Sequence, residues 1–139
     1  MMYIPKYFTL IEFLRSDTAR RAGIDNSPQT FQQVAHLSGL GWHLDRIRTI
    51  MGCSIRVNSA FRTPQLNARL KGSAPRSYHL QGRAADIVAA NLPRLKDVVL
   101  RYCGFQPAPG LTHYEDARFE VILYPTFLHF AYKGPVEEA

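Results

Sequence analysis

The sequence has 139 residues, 46% of them hydrophobic and 20% charged, the balance of one folded globular domain rather than of a disordered chain. Its apolar runs, such as FEVILY and DVVL, fall far short of the ~20 residues of a membrane-spanning helix. A formal net charge of +6 favours a polyanionic partner such as a nucleic acid, an anionic cell wall or a membrane surface, yet the basic residues are dispersed and no compact basic run occurs.

FTLIEFLRSDTARRAG carries Thr9 and Glu12 at capping-box spacing, then Leu10, Phe13 and Leu14 as an apolar stripe and Gly23 as a stop, which predicts one short helix. NSPQTFQQVAHLSGLGWHLDRIRTIMG predicts a longer one, capped by Asn26 or Ser27 with Pro28 in its first turn and ended by Gly52. Phe31, Val34, Leu37, Leu44, Ile47 and Ile50 recur in it at helical spacing, and SGLG near its middle is a place to break or kink.

SIRVNSAF alternates Ile55, Val57 and Ser59 with Arg56 and Asn58, as a half-buried strand does. TPQLNARLKG predicts a two-turn helix with Thr63 as cap, Pro64 first and Gly72 at the end. After the polar loop SAPRSYH, GRAADIVAA predicts a central strand, LPRLKDVVLRYCG a third substantial helix, and RFEVILYPTFLHFAYK two strands joined around Tyr124, Pro125 and Thr126. The sum is a single α+β domain over 1–139, with a small antiparallel sheet and helices packed on one side.

Cys53 and Cys103 are too few for a disulfide framework and too far apart for a CxxC metal site, so both read as buried thiols. The start, MMYIPKYFTLIEFLRSD, lacks the basic segment and cleavage site of a secretory signal. Cytoplasmic synthesis is expected, with release only by lysis or by another protein.

SYHLQGRAADI places His79 and Asp86 seven positions apart. A hydrolytic zinc centre takes about three protein ligands and keeps one position for water, while a nearby carboxylate shuttles a proton. His79 ends a loop and Asp86 lies in a predicted strand, so the chain must turn back between them. Gly82 permits that turn, and Ala84 and Ala85 leave space beside a ligand. Spacing alone favours a surface histidine and an ordinary polar strand residue, because HxxxxxxD is not restrictive.

The neighbouring residues narrow this. SYHLQGRAADI has the pattern SxHxxGxAxD and follows VNSAFRTPQLNARLKGSAPR. With FTLIEFLRSDTARRAGIDNSP and FLHFAY, these stretches resemble the zinc D-alanyl-D-alanine carboxypeptidase family of peptidoglycan peptidases. The likeness is to its small carboxypeptidase A C-terminal type, frequent in phage and prophage proteins. The resemblance implies a hedgehog/D-Ala-D-Ala-peptidase-like fold and a Zn²⁺ cofactor held by His79, Asp86 and, from TFLHF, His129. It further implies that Ser77 hydrogen-bonds the substrate peptide and that Arg62 steadies the carbonyl oxygen as negative charge develops there. The expected partner is peptidoglycan or a muropeptide, with no nucleic acid, no membrane insertion and a monomer by default. The expected place of action is the wall, after lysis or within a phage particle.

Two departures stand out. The family commonly has an acid a few residues before the third ligand, as general base, where this chain has Thr126. Glu120 is the nearest acid upstream: a two-residue turn puts it beside or diagonal to His129 on one face, and a three-residue turn puts it on the opposite face. Glu115 and Asp116 are weaker candidates. The second departure, Ala60 and Phe61 in place of a glycine and a tyrosine, bears on loop shape.

Among the remaining residues, His113 reads more simply as a surface histidine than as one over the cleft. His36 and His43 share a helix face and fit packing or exposure, while Trp42, Phe31 and Phe13 read as core. Tyr78 and Phe127 fit either a pocket wall or the core, and Asn58 and Asn67 are candidates to brace the loop around Arg62. A domain that kept the fold but lost turnover, binding muropeptides or a virion protein, is the main rival. A basic nucleic-acid-binding domain is the other, although no motif supports it.

Overall fold

The computed structural model describes residues 2–70 and 74–135. The first predicted helix is two. Thr9 and Glu12 close the expected capping box on α1 (Leu10–Leu14), but Arg15 is extended and Ser16 caps α2 (Asp17–Ala22), accepting from the Ala19 amide at 3.1 Å. A serine hydroxyl offers the backbone this alternative to continuing the first helix. Leu10 is exposed, so Phe13, with the half-buried Leu14 beside it, anchors α1 in the core.

The long helix α3 (Phe31–Met51) starts later than expected, because Thr30 and Gln33 form its capping box. Such a box satisfies two helix-terminal amides at once. SGLG does not break it: Gly41 lets the N-terminal segment pack close, since a Cβ there would fall 2.2 Å from Pro5 Cγ. Phe31 and Ile50, expected in the core, sit at its two ends and are 78% and 54% exposed. Its middle is buried on nearly every side, with Leu37, Leu40, Leu44 and Ile47 joined by His36, Ser38, His43 and Asp45. The polar members have partners: His43 Nδ1 lies 2.7 Å from the Tyr102 hydroxyl, and Asp45 accepts from the Lys6 and Tyr7 amides. Burial pushes the His43 imidazole down to about 4.

β1 (Arg56–Ser59) and α4 (Pro64–Arg69, capped by Thr63) follow; the expected helix end at Gly72 lies outside the described residues. Then come a 3₁₀ turn (Tyr78–Gln81), β2 (Ala84–Val88), α5 (Leu92–Cys103), β3 (His113–Glu115), β4 (Phe119–Leu123) and β5 (Leu128–Tyr132). The strands form one antiparallel sheet in the order β1-β2-β5-β4-β3. β5 is therefore the central strand and β2 stands second. β3, three residues long, escaped the sequence patterning.

Alternation along each strand divides the sheet. Ala85 and Ile87, Leu128, Phe130 and Tyr132, Phe119 and Val121, and Tyr114 join the hydrophobic core with residues of α3 and α5. Asp86, His129, Glu120, Ile122 and His113 stand on the other face. Ala84 shares that face with Asp86, whereas Ala85 belongs to the core and not to the space beside a ligand. Cys103 is buried as expected, Cys53 only half-buried, and both are free thiols. Among the described residues no helix is long and apolar enough to cross a membrane.

Candidate metal centre and catalytic cleft

Sheet register sets two of the three expected ligands side by side. Asp86 on β2 pairs directly with His129 on β5, His129 with Ile122 on β4, and Ile122 with His113 on β3. His79 joins them from the 3₁₀ turn, where the Ser77 hydroxyl accepts from the His79 amide at 3.1 Å and starts the turn. Gly82 ends it at φ 80°, with a Cβ there only 2.8 Å from the Gln33 carbonyl, so glycine alone fits on both counts.

Asp86 Oδ1 lies 3.3 Å from His79 Nε2 and 3.1 Å from His129 Nδ1. One ligand atom from each of the three residues falls within 4.8 Å of the other two. Two imidazole nitrogens and a carboxylate oxygen suit zinc.

The ring orientations fit that ion as well. His79 Nδ1 donates to the Ala60 carbonyl at 2.6 Å; this fixes the proton on Nδ1 and leaves the Nε2 lone pair facing the shared position. Burial pushes the His79 pKa down, keeping the ring in the neutral form that ligates. His129 Nε2 donates to Glu120 Oε1 at 3.0 Å, which turns Nδ1 toward Asp86.

Charge points the same way. Burial alone would raise the Asp86 pKa, but hydrogen bonds from His129 and His79 hold it well below the usual carboxylate range. Burial opposes charge on His129, yet its bonds to Asp86 and Glu120 raise it to about 9. Two carboxylates thus hold a proton on the ring between them, where a bound cation would supply the charge instead.

Arg62 stands against this group with its side chain only 12% exposed. Its Nη2 donates to Asp86 Oδ2 at 3.3 Å, its Nε to Ser59 Oγ at 3.2 Å and its Nη1 to Asn67 Oδ1 at 3.4 Å. Asn67 is therefore a brace, as expected, while Asn58 is exposed. The loop is pinned further by its backbone: the Arg62 amide donates to the His79 carbonyl and the Phe61 amide to the Phe13 carbonyl.

Asn26 does not cap a helix. Its side chain donates to the Leu14 and Phe61 carbonyls and accepts from the Thr63 amide, tying the arginine loop to α1. No signal in the sequence distinguishes that role from a cap.

Glu120 pairs with Ala131 and is diagonal to His129. The Tyr124 amide donates to the Phe127 carbonyl across Pro125 and Thr126, so the turn is one of the two-residue arrangements that put Glu120 on the His129 face. Its Oε1 takes His129 Nε2, and its Oε2 takes His113 Nε2 at 3.0 Å. His113 is thus partly exposed, as a surface histidine would be, yet bonded into the site. Thr126 is exposed at the hairpin tip. Asp116 accepts the Arg118 and Phe119 amides in the β3–β4 turn, and Glu115 pairs with Lys133 at 2.8 Å.

Arg62, His79, Asp86, His113, Glu120 and His129 line a cleft of about 630 Å³, to which Ser77, Tyr78, Phe127 and Tyr124 contribute walls. The Tyr124 and Phe127 rings stack with centroids 4.5 Å apart. The cleft therefore offers a polar floor with ligand, cationic and carboxylate groups, and an aromatic side wall.

The profile of the family described as Peptidase M15 matches residues 6–119. No curated protein matches the chain. The matched stretch contains Arg62, Ser77, His79 and Asp86; Glu120 and His129 lie just past it and enter the site through sheet register. The chain belongs to the peptidase M15 family.

Proposed function

We propose that this chain is a zinc-dependent peptidase acting on the stem or cross-link peptides of peptidoglycan, as a D,D-carboxypeptidase or an endopeptidase. The observation that carries this reading is the meeting of His79, Asp86 and His129 in one cleft beside Arg62 and Glu120. Bound zinc supplies Lewis acidity toward a peptide carbonyl and acidifies water.

The chain's own groups do the rest. His79, Asp86 and His129 hold the ion, and Glu120 takes a proton from the attacking water and passes it to the leaving amine. Arg62 offers N–H to the carbonyl oxygen as its charge grows. The Ser77 oxygen keeps its cap on the His79 amide while its hydroxyl hydrogen goes to the substrate peptide. The net positive charge suits an anionic wall, and action after lysis or within a phage particle fits this reading.

Digestion of purified peptidoglycan by the zinc-loaded chain, followed by mass spectrometry, tests the proposal. Released D-alanine or peptides newly cut in the stem or cross-link are expected, and their loss on chelation. Intact peptide with zinc bound would instead support a muropeptide-binding or virion structural domain of the same fold. That second reading draws on Thr126, which stands where family members commonly carry an acid.

A further inference from the structure

We propose that His113, Glu115 and Glu120 form a second divalent-cation site at the lip of the cleft, whose filling withdraws Glu120 from proton transfer and makes excess Zn²⁺ an inhibitor. The inhibitory part rests on the reading of Glu120 given above; the site itself does not.

The geometry comes from the β3–β4 pair. His113 and Glu115 share one face of β3, and Glu115 stands directly opposite Glu120. Like charges opposite each other in an antiparallel pair repel, yet here each carboxylate turns one oxygen toward the same ring nitrogen. His113 Nε2 lies 3.0 Å from Glu120 Oε2 and 3.6 Å from Glu115 Oε1. Their remaining oxygens are engaged outward, Glu120 Oε1 by His129 and Glu115 Oε2 by Lys133. One ligand atom from each of the three residues lies within 4.8 Å of the others.

An imidazole nitrogen and two carboxylate oxygens form a set that borderline metals such as Zn²⁺ accept. The side chains of His113 and Glu115 are 52% and 41% exposed, so an ion enters directly from solvent. The same exposure, with the Lys133 ammonium beside Glu115, makes this site weaker than the buried one and fills it second. Glu120 belongs to both environments: a cation on its Oε2 holds the lone pairs that would accept a proton.

Equilibrium dialysis of the full chain against Zn²⁺ alone counts the ions, and peptidoglycan hydrolysis at the same concentrations reads the effect. Wild type should bind one ion at low and two at excess Zn²⁺, whereas Glu115→Gln and His113→Ala should stop at one. Excess ion should slow wild-type hydrolysis by about tenfold or more and Glu115→Gln by less than about twofold, since a general base is worth at least that much.

A single ion in wild type at every concentration, or equal inhibition of wild type and Glu115→Gln, would overturn the proposal. A chain that hydrolyses nothing would overturn the functional reading instead, while the dialysis counts would still decide the site.

Discussion

Glu120→Gln should lower kcat by about 10²–10⁴-fold, the usual worth of a positioned general base, with zinc content unchanged. Glutamine matches glutamate in shape, and its carbonyl oxygen can still accept from His129 Nε2, now 3.0 Å from Glu120 Oε1. The ring therefore stays aimed while the proton acceptor is lost. Glu120→Ala removes both functions and should in addition weaken zinc, because partners of this kind orient metal-bound imidazoles. Steady-state kinetics beside elemental analysis separates the two. A Glu120→Gln enzyme within about tenfold of wild type would mean that this carboxylate only orients His129.

Arg62→Met should cost about 10²–10³-fold in kcat, the range seen when one oxyanion donor is removed. Ser59, Asn67 and Asp86 each accept from the guanidinium, so its fork is held in place before any substrate arrives. Lysine keeps the charge but cannot reproduce this three-way support, and Arg62→Lys should recover only a minor part of the rate. Because one contact is to a proposed zinc ligand, zinc must be measured in both variants. Full zinc with wild-type kcat would remove Arg62 from the reaction and leave it as a brace for Asp86.

Much of this site was legible because its parts are local or tied by strand period. His79, Gly82 and Asp86 lie in one short stretch, and the turn that Gly82 permits is present at φ 80°. Strict alternation along a strand ties the face of Glu120 to the turn length; the sequence leaves two- and three-residue turns open, and the Tyr124 amide bond to the Phe127 carbonyl selects the former.

What was not legible depends on partners remote in sequence. The Ala60 carbonyl fixes the His79 tautomer across 19 positions, and Asn26 reaches Phe61 across 35. β3 is too short to show alternation, so the sequence presents His113 simply as a surface histidine. Phe31 and Ile50 follow the helical period of α3 but sit exposed at its two ends, and the Ser16 cap competes with a helix pattern that otherwise runs on. In each case tertiary context selected between local options that the sequence leaves nearly equal.

One cation shared by three side chains is what the proposed chemistry requires most. Elemental analysis of the exhaustively dialysed protein beside His79→Ala, Asp86→Ala and His129→Ala tests it directly. Close to one zinc per chain is predicted in wild type, with loss of the ion in every variant. Zinc retained after removal of any one of the three, or none held by wild type after zinc loading, would contradict it.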